Sequence, residues 1–108
     1  MSGISSGGGE VDGEEESCET LVIDTQLSSP KLDVISAIRV GDLLEVMTET
    51  HGDRTTVVVK YKGAVAGGLA APLLKRLREC IEEGTQYRAK VTAKKDGQVR
   101  VRVAAIRL

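Results

Sequence analysis

The sequence predicts an α+β fold, a small curled antiparallel sheet or partial β-barrel with two helices, preceded by a disordered acidic tail. Three observations predict it. Apolar residues make up 41% of the 108 positions, which is typical of a globular chain. Several short runs alternate apolar and polar residues as strands do, and two segments carry apolar residues at helical spacing. This order of segments is typical of a single domain that contains both a sheet and helices.

The first 19 residues, MSGISSGGGEVDGEEESCE, predict a flexible tail with six acidic residues and no basic one. A segment of Gly, Ser and Glu cannot bury enough apolar surface to offset the entropy lost on ordering. Residues 20–108 are expected to form the single domain, with 15 basic and 10 acidic residues and a net charge of +5. A tail of this kind could fold back over the cations of the domain.

The first half of the domain predicts a strand, a short helix and two further strands. Ser29-Pro30 is a helix-start signal, with Ser29 as N-cap, and Gly41 ends the segment. A polar loop is expected between the second and third strands. The predicted strands are residues 20–27, 43–48 and 55–62, and the loop is residues 49–54.

The second half predicts a short Gly-rich strand, a helix and a hairpin. Gly67-Gly68 is interpreted as a tight corner leading into the helix, which Gly84 closes as a C-cap residue. Asp96-Gly97 favours a type I′ turn between strands over residues 85–95 and 98–107. The apolar stripe of the helix consists of Leu73, Leu74, Leu77, Cys80 and Ile81, after Pro72.

The two cysteines predict neither a metal site nor a cofactor. Cys18 lies beside the acidic run and Cys80 on the apolar stripe, without CxxC or Cys/His spacing. The chain shows no secretory signal and no run long enough to cross a membrane, so a cytoplasmic location is expected. A disulfide is disfavoured in that compartment, and Cys80 is expected to be a small buried apolar residue.

The net charge of -1 hides a strong asymmetry between the two halves. Residues 1–53 hold two basic and twelve acidic residues, and residues 54–108 hold thirteen basic and four acidic ones. In three predicted strands the cations share one face, because alternate side chains point to the same side of a sheet. These cations are Lys60, Lys62, Arg88, Lys90, Arg100 and Arg102.

A surface of one charge sign attracts phosphates, so the sequence predicts a non-catalytic module that contacts a nucleic-acid backbone. Tyr61 and Tyr87 fall on the apolar face, which favours a sequence-tolerant mode over base stacking. Two alternatives stay open. The basic face is either the solvated side of a half-buried sheet or a surface that meets an acidic protein partner. The oligomeric state is not specified by any pattern.

Two features resemble catalytic or nucleotide-binding motifs without matching them. His51 and Asp53 could act as a base and its orienting acid, but no motif places a nucleophile beside them. Residues 63–72 are rich in glycine yet have neither GxGxxG nor GxxxxGK[ST] spacing. No enzymatic activity is therefore predicted.

The stretch from Ile38 to Ile106 resembles a HIRAN-type domain. The resemblance rests on IRVGDLLEV, GDRTTVVV, a short Gly-led strand that enters a helix, and EEGTQYRAKV, over about two thirds of the chain. Members of that family are small β-barrel modules, typically accessory to DNA-processing enzymes, and some bind single-stranded DNA ends. The resemblance implies roles for Asp53, Arg54 and the cationic strand positions. The chain lacks the Asn-Pro-Tyr-Asp type of loop and the aromatic residues that hold a base in that family.

Overall fold

The computed structural model describes residues 17–106, which form one six-stranded antiparallel sheet and two helices. The α+β class is confirmed at this level, and the predicted tail falls mostly in residues 1–16, outside the described residues. The strands are β1 (Val22–Gln26), β2 (Leu43–His51), β3 (Arg54–Tyr61), β4 (Ala64–Gly68), β5 (Tyr87–Lys95) and β6 (Gln98–Ala105). The helices are α1 (Leu32–Ile35) and α2 (Leu74–Glu82).

The strands lie in the order β1-β6-β5-β2-β3-β4, and the sheet curls without closing into a barrel. Its two edges meet at one point, where Ser28 and Gly68 exchange backbone hydrogen bonds of 2.9 Å in both directions. The Lys31 N–H also donates to the Ala66 carbonyl at 2.8 Å. The chain that follows β1 therefore covers the outer edge of β4.

Gly67 allows this close approach of the two edges. A Cβ at this position would lie 3.1 Å from the Ser28 carbonyl oxygen and 3.2 Å from the Leu27 Cβ, closer than most side-chain contacts. The prediction of a corner at Gly67-Gly68 is wrong, because both glycines belong to β4. Their small size serves strand-to-strand packing instead of a turn.

The core lies on the inner face of the curled sheet, with both helices packed against it. Its members are aliphatic apart from Cys80 and Tyr87, and no buried residue within positions 17–106 is charged. The apolar stripe of α2 contributes Leu77 and Cys80, both fully buried, as the helical spacing predicts. Burial of one face leaves the alternate positions of each strand on an outer, solvent-facing side.

Two-residue turns connect three of the strand pairs. Asp96 and Gly97 have φ values of 52° and 82°, as the predicted type I′ turn requires. Lys62 and Gly63 adopt the same left-handed conformation, with φ values of 51° and 86°, between β3 and β4. The loop predicted over residues 49–54 is wrong. Strands β2 and β3 pair up to His51 and Arg54, leaving two residues for the turn.

The end of α2 agrees with the prediction from the sequence, whereas the start of α1 does not. Gly84 ends α2 with a φ of 108°, and the Gly84 and Thr85 N–H groups donate to the Ile81 and Cys80 carbonyls in a Schellman arrangement. The prediction for α1 is wrong at its start. Ser29 has a φ of 49° and does not cap the helix, which begins at Leu32. The backbone hydrogen bonds to β4 hold the residues before α1 in a non-helical conformation.

Cys18 and Cys80 form a disulfide, which contradicts the expectation from the sequence. Their Cα atoms lie 5.5 Å apart across a sequence separation of 62 residues. The Ser17 carbonyl accepts hydrogen bonds from the Thr20 and Leu21 N–H groups, and Leu21 is buried. This turn directs Cys18 against α2, so the cysteine belongs to the domain although the composition around it is that of the tail.

No helix within residues 17–106 is both long enough and apolar enough to cross a membrane.

Candidate nucleic-acid interface

The hairpin of β5 and β6 brings four of the predicted cations together on the outer side of the sheet. Lys90 lies opposite Arg102, Arg88 lies opposite Ala104, and Arg100 lies opposite Ala93. Neighbouring strands are about 4.8 Å apart and alternate residues about 7 Å apart along a strand, so the four positions form a compact array. We call this array, made of Arg88, Lys90, Arg100 and Arg102, the cationic face.

Three of these four side chains make no ion pair within residues 17–106. The exception is Arg102, whose Nε lies 2.9 Å from the Asp24 Oδ1 on the neighbouring strand β1. Lys90 and Arg102 are like charges placed directly opposite each other, an arrangement that is destabilising. Asp24 offsets part of that repulsion. Arg88, Lys90 and Arg100 therefore keep their charges available for an external anion.

Lys60 does not join the cationic face. The prediction of a six-cation cluster required β3 to neighbour β5, but β2 lies between them. Glu45 of β2 lies opposite both Lys60 and Arg88 in the register. The Lys60 Nζ lies 3.5 Å from the Glu49 Oε2. The neighbouring strand thus supplies acids that the cationic strands themselves lack.

Lys62 and Arg54 lie away from the cationic face for two different reasons. Lys62 belongs to the turn after β3, where its Nζ lies 5.3 Å from the centre of the Tyr61 ring. Arg54 is the first residue of β3, at the far tip of the long hairpin. There it lines a groove of about 540 Å³ together with Arg78 and acidic residues of α2.

Lys94 shows the effect of a β-bulge on the alternation of β5. The register shifts between Val91 and Ala93, so Lys94 pairs with the inward-facing Val99 instead of continuing the outer row. Its Nζ donates to the Ile38 carbonyl at 2.8 Å. The cation therefore satisfies backbone groups beyond the end of α1, a role that strict alternation does not reveal.

Exposed apolar residues flank the cationic face on both sides. Leu43 lies opposite Lys90 and is 54% exposed, and Val22 lies opposite Ala104 and is 44% exposed. A groove of about 340 Å³ runs between Leu43 and Ile106 and is also lined by Arg88, Lys90 and Arg102. A ligand on this face would meet both cations and aliphatic side chains.

The two tyrosines lie on the inner side of the sheet, as the alternation predicts. Tyr87 is buried, and its hydroxyl donates to the Cys18 carbonyl. Burial raises the pKa of the Tyr87 phenol, while Arg76 lowers it and Glu83 raises it further. The phenol therefore stays protonated as a hydrogen-bond donor. Within the described residues the cationic face carries no aromatic ring on which a base could stack.

His51 is an exposed residue at the tip of the β2–β3 hairpin. Its Nε2 lies 3.4 Å from the Glu49 Oε1, so the acid beside it is Glu49 instead of the expected Asp53. Asp53 lies in the turn itself and lines the same groove as Arg54. The structure therefore does not place Asp53 as the acid that orients His51.

Comparisons with models of known protein families, with curated proteins and with solved structures find no match to this chain.

Proposed function

We propose that this protein is a non-catalytic module that binds the phosphate backbone of nucleic acids through its cationic face. One observation carries the proposal. Four cations from two adjacent strands share one solvent-facing side, and three of them have no ion-pair partner within residues 17–106. Each phosphate that such a side chain neutralises releases condensed counterions, which drives association.

The proposed mode is tolerant of sequence. Arginine and lysine bind phosphate oxygens irrespective of the base, whereas base selection needs stacking or contacts with base edges. The tyrosines lie on the opposite side of the sheet, and the face offers flexible cationic side chains. Single strands suit a curved sheet of this size because their backbone can follow its surface.

A specific observation supports a second candidate, an acidic protein partner. Leu43 and Val22 are exposed beside the cations, and protein interfaces commonly combine an apolar centre with charged surroundings. A nucleic-acid backbone would leave these aliphatic groups unused. If the ligand is a nucleic acid, an oligonucleotide should bind more tightly than an acidic polypeptide. If the ligand is an acidic protein, the order should be reversed.

Titration of the full chain with a fluorescent oligothymidine of about 20 nucleotides, followed by anisotropy, tests the proposal. If the four cations neutralise four phosphates, the logarithm of the association constant should fall against the logarithm of salt with a slope of about -3. Affinity should then drop several hundredfold between about 20 mM and about 200 mM salt. A matched titration with poly-glutamate distinguishes the candidates.

Absence of oligothymidine binding at low salt would rule the proposal out. Tight poly-glutamate binding in that case would favour the acidic protein partner. The HIRAN-type resemblance stays a prediction, and it adds a preference for strand ends. A circular single strand of the same length would bind more weakly than the linear one if that preference exists.

A further inference from the structure

We propose that the acidic segment of residues 10–16 docks on the cationic face of its own chain and competes there with external polyanions. This inference rests on the same face as the proposed function, but it concerns an intramolecular occupant. Three observations carry it: where the segment joins the domain, how far it can reach, and the complementarity of charge.

The segment joins the domain on the inner side of the sheet, at the end of β5 that carries Arg88. Ser17 begins a turn that is held by hydrogen bonds from Thr20 and Leu21 to its carbonyl. The next residue, Cys18, is fixed by the disulfide and by the Tyr87 hydroxyl. Tyr87 is the first residue of β5, and Arg88 follows it on the outer side. The segment therefore leaves the described domain on the inner side and has to pass round the Arg88 end of the sheet to reach the cationic face.

The extended segment is longer than the cationic face. Arg88, Lys90 and the position level with Arg100 follow one another along the strands in two steps of about 7 Å each. Seven residues in extended conformation span roughly 23–25 Å. About 14 Å of this length covers the face, and the remaining roughly 10 Å is available for the passage round the end of the sheet.

The charges of the two partners are complementary. Residues 10–16 carry five acidic side chains among seven positions and no basic one. The face offers three cations without an ion pair and Arg102, which is shared with Asp24. Tethering places the acidic segment at an effective concentration of about a millimolar or more, so weak contacts are enough for competition.

Neutralising the segment at constant chain length tests this inference. The tail variant carries Asp12→Asn, Glu14→Gln, Glu15→Gln and Glu16→Gln in the full oxidised chain. The matched control carries the same number of acid-to-amide changes on exposed or partly exposed positions away from the face, Asp33→Asn, Asp53→Asn, Glu79→Gln and Glu82→Gln. Both variants have the same net charge, so general electrostatic attraction changes equally in the two.

The first measurement needs no nucleic acid. At low salt, the tail variant should shift the amide NMR signals of Arg88, Lys90, Arg100 and Arg102 relative to the wild type, and the control should leave them in place. The second measurement is oligothymidine affinity, which should rise about tenfold in the tail variant and less than about twofold in the control.

Unchanged signals on the cationic face in the tail variant would overturn the inference. Shifted signals without oligothymidine binding would uphold the tail contact and reject the proposed function instead. Equal gains in affinity for both variants, with no shifts on the face, would also overturn it, because net charge alone would then explain the result.

Discussion

The variant Lys90→Glu with Arg100→Glu should bind oligothymidine about 100-fold more weakly than the wild type, because two charge-assisted contacts of about 1.5 kcal/mol each are lost. The fold should be retained. Lys90 lies opposite Arg102, so a glutamate there replaces a like-charge pair by an opposite-charge pair. Binding and stability should thus change in different directions, which anisotropy and thermal unfolding measure separately.

A control with the same change in net charge is Lys31→Glu with Lys75→Glu. Both lysines are exposed and lie outside β5 and β6, at the start of α1 and within α2. This control should lose less than about fivefold in affinity, because its charges lie far from the bound strand and salt screens their effect on it. Equal losses in the two double variants would contradict a localised binding face.

Replacing the disulfide with Cys18→Ser and Cys80→Ala should lower the free energy of unfolding by about 4 kcal/mol. The cross-link closes a loop across 62 residues, and the entropy it removes from the unfolded chain grows with loop length. For a domain of this size, such a loss corresponds to a decrease in Tm of roughly 15–30 °C. Calorimetry of the oxidised wild type and the variant measures both quantities.

Reduction of the wild-type chain provides the matched comparison, since it opens the cross-link without changing the sequence. The reduced wild type and the double variant should unfold at similar temperatures, well below the oxidised chain. The variant Tyr87→Phe should cost about 1 kcal/mol, because it removes one hydrogen bond to Cys18 and leaves the loop closed. Equal stability of oxidised and reduced wild type would contradict a structural role for the disulfide.

The disulfide also bears on the environment of the protein. Such cross-links persist in oxidising compartments and are rare in the cytosol of most organisms. The cytoplasmic location expected from the sequence stays a prediction, and this cross-link weighs against it. Mass spectrometry of the protein isolated under alkylating conditions would show, from the number of alkylated cysteines, which redox state the cell maintains.

Features set by a few adjacent residues could be predicted from the sequence. Asp96-Gly97 adopts the turn that its backbone preferences favour, and Gly84 ends α2 in the expected left-handed conformation. The clustering of Arg88, Lys90, Arg100 and Arg102 also follows from local information, because one hairpin positions both strands.

Features set by contacts between distant segments could not be predicted. The acids that flank the cationic face, Asp24 and Glu45, lie on strands whose neighbours depend on the sheet order. Lys94 leaves the outer row because of a bulge, which alternation does not encode. Cys18 has a tail-like sequence around it, and only the packing of the following turn directs it to α2.

The most direct test of the central claim is NMR mapping of oligothymidine binding on the full chain at low salt. The account predicts that the largest amide shifts lie on the outer positions of β5 and β6, at Arg88, Lys90, Arg100 and Arg102, and that added salt reverses them. Largest shifts around Arg54 and Arg78, or evenly distributed shifts over all exposed cations, would contradict it.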